Sequence, residues 1–184
     1  MRSAIARGCV LFALMLPAFV QASAQPTWHD KVNQALPLLG HRNWILIVDS
    51  AYPLQASAGV ETIETGADQL EVTRFVLDAI NHSIHVRPDI LMDAELPFVA
   101  ESDAPGVTAY RVDIGKLLAG IAVESVPHEQ LIARVDEAGR TMHVLVLKTT
   151  MTVPYSSVFV RLNCRYWSDD AERRLRLRMA DAKR

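Results

Sequence analysis

Apolar positions along this chain recur at two different periods. Between residues 28 and 39 they keep helical spacing and close on Leu36, Leu38 and Leu39, so a helix is expected there, with Gly40 as a left-handed C-cap. Trp44 to Val48 reads WILIV, too short and too β-branched for a second helix, and predicts a buried strand. A further strand is expected over residues 59–64. Asp68 then caps a helix over residues 69–82, where Leu70, Phe75, Val76, Leu77, Ala79 and Ile80 gather mainly on one face and Glu71, Arg74 and Asp78 lie elsewhere. The pattern next predicts a strand at 89–92, a polar Pro/Gly loop at 101–106, helices at 116–122 and 128–138, and strands at 142–149 and 158–162. Strands alternating with helices in this way predict a single α/β domain whose central sheet is covered by helices on both faces. No internal repeat, low-complexity tract or interdomain linker is evident.

The two ends of the chain depart from this alternation. Arg2 and Arg7, the apolar run Cys9 to Val20, and Ala22-Ser23-Ala24 as an A-x-A site have the order of an export signal. The run is too short for a membrane span and is interrupted by Pro17, so the expectation is cleavage near Ala24 and a secreted or periplasmic product starting at Gln25. At the other end, residues 171–184 (AERRLRLRMADAKR) read as a short basic helix. It is expected to lie on the surface with Leu175 and Met179 packed on the core, in preference to binding a membrane or an acidic partner. The expected organisation is thus a signal over 1–24, a domain over 25–166 and a helical extension over 167–184.

Charge and cysteine content narrow the classes of function. The whole chain carries a net charge of −2; without Arg2 and Arg7, 17 basic residues face 21 acidic ones and the net charge becomes −4. Nucleic-acid binding by the domain is not expected. Cys9 leaves with the signal, so Cys164 is the one thiol of the mature protein and no intramolecular disulfide can form. No G-x-S-x-G elbow, Gly-rich phosphate loop or Cys-x-x-Cys pair occurs, which removes local support for hydrolase, nucleotide and zinc-ribbon chemistry.

Candidate chemistry clusters instead around the first strand. His41 and Asp49 flank it, and Asp49 stands at its carboxyl end, where open α/β sheets place their ligand crevice. Taken singly, Asp49 could equally cap the loop SAYP and His41 be an exposed turn residue. Asp93 and Glu95 follow another strand and could line the same crevice or be solvated loop charges. His82 and His85, three apart in NHSIHVRP, suit a helix end better than a metal site, because histidines favour the negative end of the helix dipole.

Three segments taken together are more specific. LGH before the first strand and the aspartate ending it, the mid-chain HEQ that begins at His128, and the late turn Pro154-Tyr155-Ser156-Ser157 resemble, over roughly residues 28–165, the ribose pyranase/fucose mutarotase family (RbsD/FucU). An insertion of a few residues separates His128 from Tyr155 relative to that pattern. The resemblance implies His41 as the catalytic histidine, Asp49 and His128 as sugar contacts, and Tyr155 as the tyrosine of a Tyr-small-Asn motif. Ser157 takes the asparagine's place in binding substrate; its hydroxyl is shorter and offers only one donor where the amide both donates and accepts.

The implied activity is that of a monosaccharide mutarotase or pyranase, an isomerase that opens and recloses a sugar ring by proton transfer through His41, with no metal or organic cofactor. The family also implies a ring-like homo-oligomer whose sites can be shared between subunits. The export signal is a departure, since familiar members are cytoplasmic partners of sugar uptake. A secreted carbohydrate-binding protein that keeps the pocket without turnover is the competing expectation, and a structural core with an active C-terminal helix is a third. On the first reading His41, Asp49, His128 and Tyr155 converge on one cleft, within or between subunits, with His41 and Asp49 as neighbours.

Overall fold

The computed structural model describes residues 25–182; the expected export signal lies outside the described residues. Helix α1 (Trp28–Ala35) starts at a capping box, in which Asp30 N–H donates to Thr27 Oγ1 at 3.2 Å and Thr27 N–H to Asp30 Oδ2 at 2.9 Å. Pro37 lacks an N–H, and the chain tightens into a 3-10 turn at Leu36–Leu38, so the single helix expected over 28–39 is two pieces. Gly40 is not the left-handed residue. Its N–H donates to Asn43 Oδ1 at 2.7 Å and its carbonyl accepts from Asn43 N–H at 3.2 Å, closing a tight turn whose third residue, Arg42, carries the positive φ of 77°.

From that turn run β1 (Trp44–Val48), β2 (Val60–Glu64), α2 (Gln69–His82), β3 (Val86–Asp93), α3 (Val107–Leu117), β4 (Val123–Val126), α4 (His128–Thr141), β5 (Val144–Lys148), β6 (Val158–Cys164) and α5 (Asp169–Asp181). The six strands form one sheet in the order β2-β5-β1-β6-β3-β4. β6 runs antiparallel to both β1 and β3, while the other neighbours pair in parallel. Every residue of β1 is buried, as expected of a strand covered on both faces. Ile45 and Ile47 pack with Val32, Val72, Val76, Tyr110 and Ile114 of α1, α2 and α3; Trp44, Leu46 and Val48 pack with Leu131 and Val135 of α4 on the opposite face.

The pattern misplaced the segment around α3. The helix expected at 116–122 instead occupies Val107–Leu117, because the Glu101 carboxylate accepts the N–H groups of Gly106 (2.5 Å) and Thr108 (2.9 Å) and starts the helix well before Lys116. These bonds to the charged form hold the Glu101 carboxyl down at about 2. Residues 123–126 were not expected as a strand. VESV buries only Val126 and has no hydrophobic alternation, and it is a strand because β3 pairs with it along one edge.

α5 begins at Asp169, capped by Ser168, and buries none of its residues; Met179 is 43% exposed. The packing of Leu175 and Met179 on the core is therefore not seen. Charges occupy most of the positions around this helix, leaving no apolar stripe wide enough to dock. Among the described residues, no helix is long and apolar enough to cross a membrane.

One close approach makes a clear demand on sequence. A Cβ on Gly59 would run into the backbone carbonyls of Gly139 and Met142, where the entry to β2 crosses the end of α4. Neither carbonyl can swing aside as a side chain would. Gly59→Ala is therefore expected to lower unfolding free energy by about 1–3 kcal/mol in urea titrations. An unchanged midpoint would show that this crossing is looser than it looks.

Candidate functional site

The carboxyl ends of β1, β3, β4 and β5 and the amino end of the antiparallel β6 all meet at one edge of the sheet, as Asp93↔Val126, Met92↔Val158 and Ile47↔Val158 show. A cleft of about 620 Å³ opens there, lined by Asp49 to Pro53 after β1, by His128, Glu129 and Ile132 of α4, and by Thr152, Pro154 and Tyr155 of the turn before β6. Asp49, His128 and Tyr155 are brought together. His41 and Ser157 are not.

His41 is exposed in the turn that enters β1, while Asp49 leaves its other end. The five-residue strand between them alone spans roughly 15 Å. The expectation that they are neighbours is thus wrong for one copy of the chain, for the simple reason that a strand puts its two ends far apart. Ser157 is buried, and its side chain is outside the set that lines the cleft.

Asp49 serves the turn as well as the cleft, since its Oδ1 accepts Ala51 N–H at 2.8 Å; the loop-capping reading and the crevice reading both hold. His128 is the first residue of α4. Its backbone N–H donates to both carboxylate oxygens of Glu95, at 3.0 and 3.1 Å, so Glu95 caps the helix in place of a local side chain. Its ring Nδ1 lies 2.9 Å from Asp93 Oδ1, and the ring meets Tyr155 edge to face at 5.4 Å between centroids.

Asp93 itself is fully buried. Burial pushes its carboxyl above the usual carboxylate range; the hydrogen bond and charge of His128 pull it back, and Glu95 and Asp49 add to the rise. Beside it, burial pushes the Tyr52 hydroxyl up to about 12, with Asp136, Asp49 and Asp93 reinforcing the shift. Tyr52 keeps its proton at neutral pH and its oxygen accepts from Gln55 Nε2 at 3.1 Å.

Tyr155 adopts a left-handed backbone, φ 56°, uncommon for a bulky side chain and held only where neighbours enforce it. The enforcement comes from a buried polar network. Tyr110 Oη donates to Ser156 O at 2.5 Å, Gln69 Nε2 donates to the same carbonyl and to Tyr110 Oη (3.3 Å), and Ser156 Oγ donates to Val153 O at 2.7 Å. Thr149 Oγ1 lies 2.8 Å from Val48 O and 3.1 Å from Gln69 Oε1, tying the network to the ends of β1 and β5. Nothing in the linear pattern announced Gln69 or Tyr110. For Asp93 and Glu95 the signal was their position just after a strand.

His82 and His85 behave as the helix end suggested. His82 Nδ1 lies 2.8 Å from Asp78 O and His85 Nε2 lies 3.0 Å from Leu39 O. Among the described residues, no three His, Cys, Asp or Glu side chains are grouped so as to hold a metal ion.

The chain belongs to the RbsD / FucU transport protein family, whose model matches residues 23–164. Its fold is similar to that of Bacillus subtilis RbsD complexed with D-ribose, with a TM-score of 0.52 and 13% identity over 76% of this chain and 95% of that one. FucU from Bifidobacterium longum is also similar, with a TM-score of 0.50 and 15% identity over 71% and 90% of the two chains. No curated protein sequence matches the chain.

Proposed function

We propose that this protein binds a monosaccharide in the strand-end cleft and interconverts its anomers or ring forms by histidine-mediated proton transfer. The observation that carries this reading is the convergence of Asp49, His128 and Tyr155 on one cleft in a chain of the RbsD/FucU family. The similar fold from Bacillus subtilis is a complex with D-ribose, which supports a sugar as the ligand class.

In ring opening the anomeric hydroxyl loses its proton, its electrons form the carbonyl, the bond to the ring oxygen breaks, and that oxygen gains a proton. Reclosure on the other face reverses both transfers. Positioned imidazoles can take and return protons near neutral pH, and about 10²–10⁴-fold per acid or base suffices because the uncatalysed reaction is already feasible. Asp49 and Tyr155 would hold hydroxyls. His41 enters only if a second copy lays its Gly40–Arg42 turn over the cleft, so the reading includes a homo-oligomer with shared sites.

A second reading, sugar binding without turnover, is favoured by Ser157, which replaces the motif's asparagine and is buried away from the cleft lining. Saturation transfer between α and β signals, run over a panel of aldopentoses and deoxyhexoses, separates the two. Accelerated exchange of at least one sugar is expected; binding with exchange at the buffer rate would favour the second reading.

Export belongs to the same proposal, on the strength of Arg2, Arg7, the apolar run and Ala22-Ser23-Ala24. Mass spectrometry of the protein from its native host should find an N-terminus near Gln25. An intact Met1 on cytoplasmic protein would remove export from the reading.

A further inference from the structure

We propose that Asp93 is the positioning residue of the cleft, holding His128 in the tautomer whose Nε2 lone pair is free to act as the base on the anomeric hydroxyl. The inference rests on the mutarotase reading above and adds a role and a partner that the sequence did not assign.

The geometry is that of a buried carboxylate behind an imidazole. Asp93 is 2% exposed at the carboxyl end of β3, and its Oδ1 lies 2.9 Å from His128 Nδ1. In its ionised form Asp93 can only accept, so Nδ1 then carries the proton and donates. The other nitrogen, Nε2, is then the unprotonated one, on a ring that lines the cleft and is about one-third exposed there. Tyr155 against the ring edge and Glu95 on the backbone N–H of His128 leave the imidazole little freedom to turn. Free imidazole has no such preference for this tautomer, so the fold must impose it.

A purely structural role explains Asp93 poorly. Its Oδ2 is buried without a hydrogen-bond partner, alone in this among the described residues. Buried polar groups are normally satisfied, and an exception marks a group kept for something other than stability. Asp93 is moreover faced by Asp49 and Glu95, like charges that a stabilising ion pair would avoid. What this arrangement does provide is a fixed acceptor behind His128. When Nε2 takes the anomeric proton, the carboxylate stands 2.9 Å from the imidazolium that forms and stabilises it. The C1–ring-oxygen bond breaks and the ring oxygen takes its proton from His41 of a second copy; on reclosure that hydroxyl adds to the carbonyl carbon and gives its proton back to His41, while Nε2 returns the first proton to the anomeric oxygen.

The test reads the tautomer directly. In the full chain with isotope-labelled histidine, the ring-nitrogen shifts of His128 are expected to show Nδ1 protonated and Nε2 unprotonated above the pH at which the ring loses its charge. Asp93→Asn, which preserves size, should mix the tautomers. It should also lower kcat for anomer exchange about ten- to a hundred-fold with KM little changed. Its pH profile should shift, since Asp93 is lost as a titratable group from a ring whose surroundings also hold Asp49, Glu95, Glu129, Tyr52 and Tyr155. A wild-type His128 protonated on Nε2 would overturn the proposal, as would Asp93→Asn with unchanged tautomer and kcat. Wild-type protein that binds sugar without speeding exchange, yet shows the Nδ1-protonated ring, would instead sink the mutarotase reading and leave the Asp93 assignment standing.

Discussion

His41→Ala is expected to abolish anomer exchange while leaving the fold and sugar affinity intact. His41 is exposed in a turn, where replacements usually change stability by less than about 0.5 kcal/mol. Loss of a proton-transferring group, by contrast, should lower the rate by about 10²–10⁴-fold, enough to bring it to the buffer rate. The effect is informative because His41 and Asp49 stand at opposite ends of β1 within one copy. If a second copy supplies it, oligomers co-expressed from His41→Ala and His128→Ala chains should recover activity, since some clefts then combine an intact His128 with an intact His41. For equal random mixing about a quarter of sites are whole. Full activity of His41→Ala would remove His41 from the mechanism, and no recovery in the mixed oligomer would remove its supply by a second copy.

The second large effect is expected at Gln69. This side chain is fully buried and bonds at once to Tyr110, Thr149 and the Ser156 carbonyl, so Gln69→Ala leaves both a cavity and polar groups with fewer partners. A loss of about 2–4 kcal/mol in urea unfolding is expected. The same change should weaken sugar binding, because the network holds the turn that keeps Tyr155 at φ 56° beside His128. A variant destabilised by less than about 1 kcal/mol, with unaltered sugar affinity, would show that the turn is set by its own residues.

These two positions differ in how visible they were beforehand. His41 stood out through its place in LGH, and Gln69 through nothing, since one glutamine at the start of an amphipathic helix looks like any surface residue. Asp93 lay between: its position after a strand raised a crevice role, yet burial and the bond to His128 depend on β4, which the pattern did not show. β4 is a strand only through its pairing with β3, and α3 starts where it does because Glu101 reaches forward across the loop.

What the sequence determined alone is what short-range physics controls. Periodic burial set the long helices α2 and α4 and the buried strands β1 and β5, and the resemblance at His128, Tyr155 and Asp49 reached the family. Tertiary structure decided what depends on which strand ends face the same way. Parallel β1, β3, β4 and β5 and the reversed β6 bring Asp49, Asp93, His128 and Tyr155 to one edge, and the same arrangement sends His41 to the opposite edge. Spacing along a chain fixes how far apart two residues are within a strand, but only the direction and order of pairing fix which strand ends share a cleft.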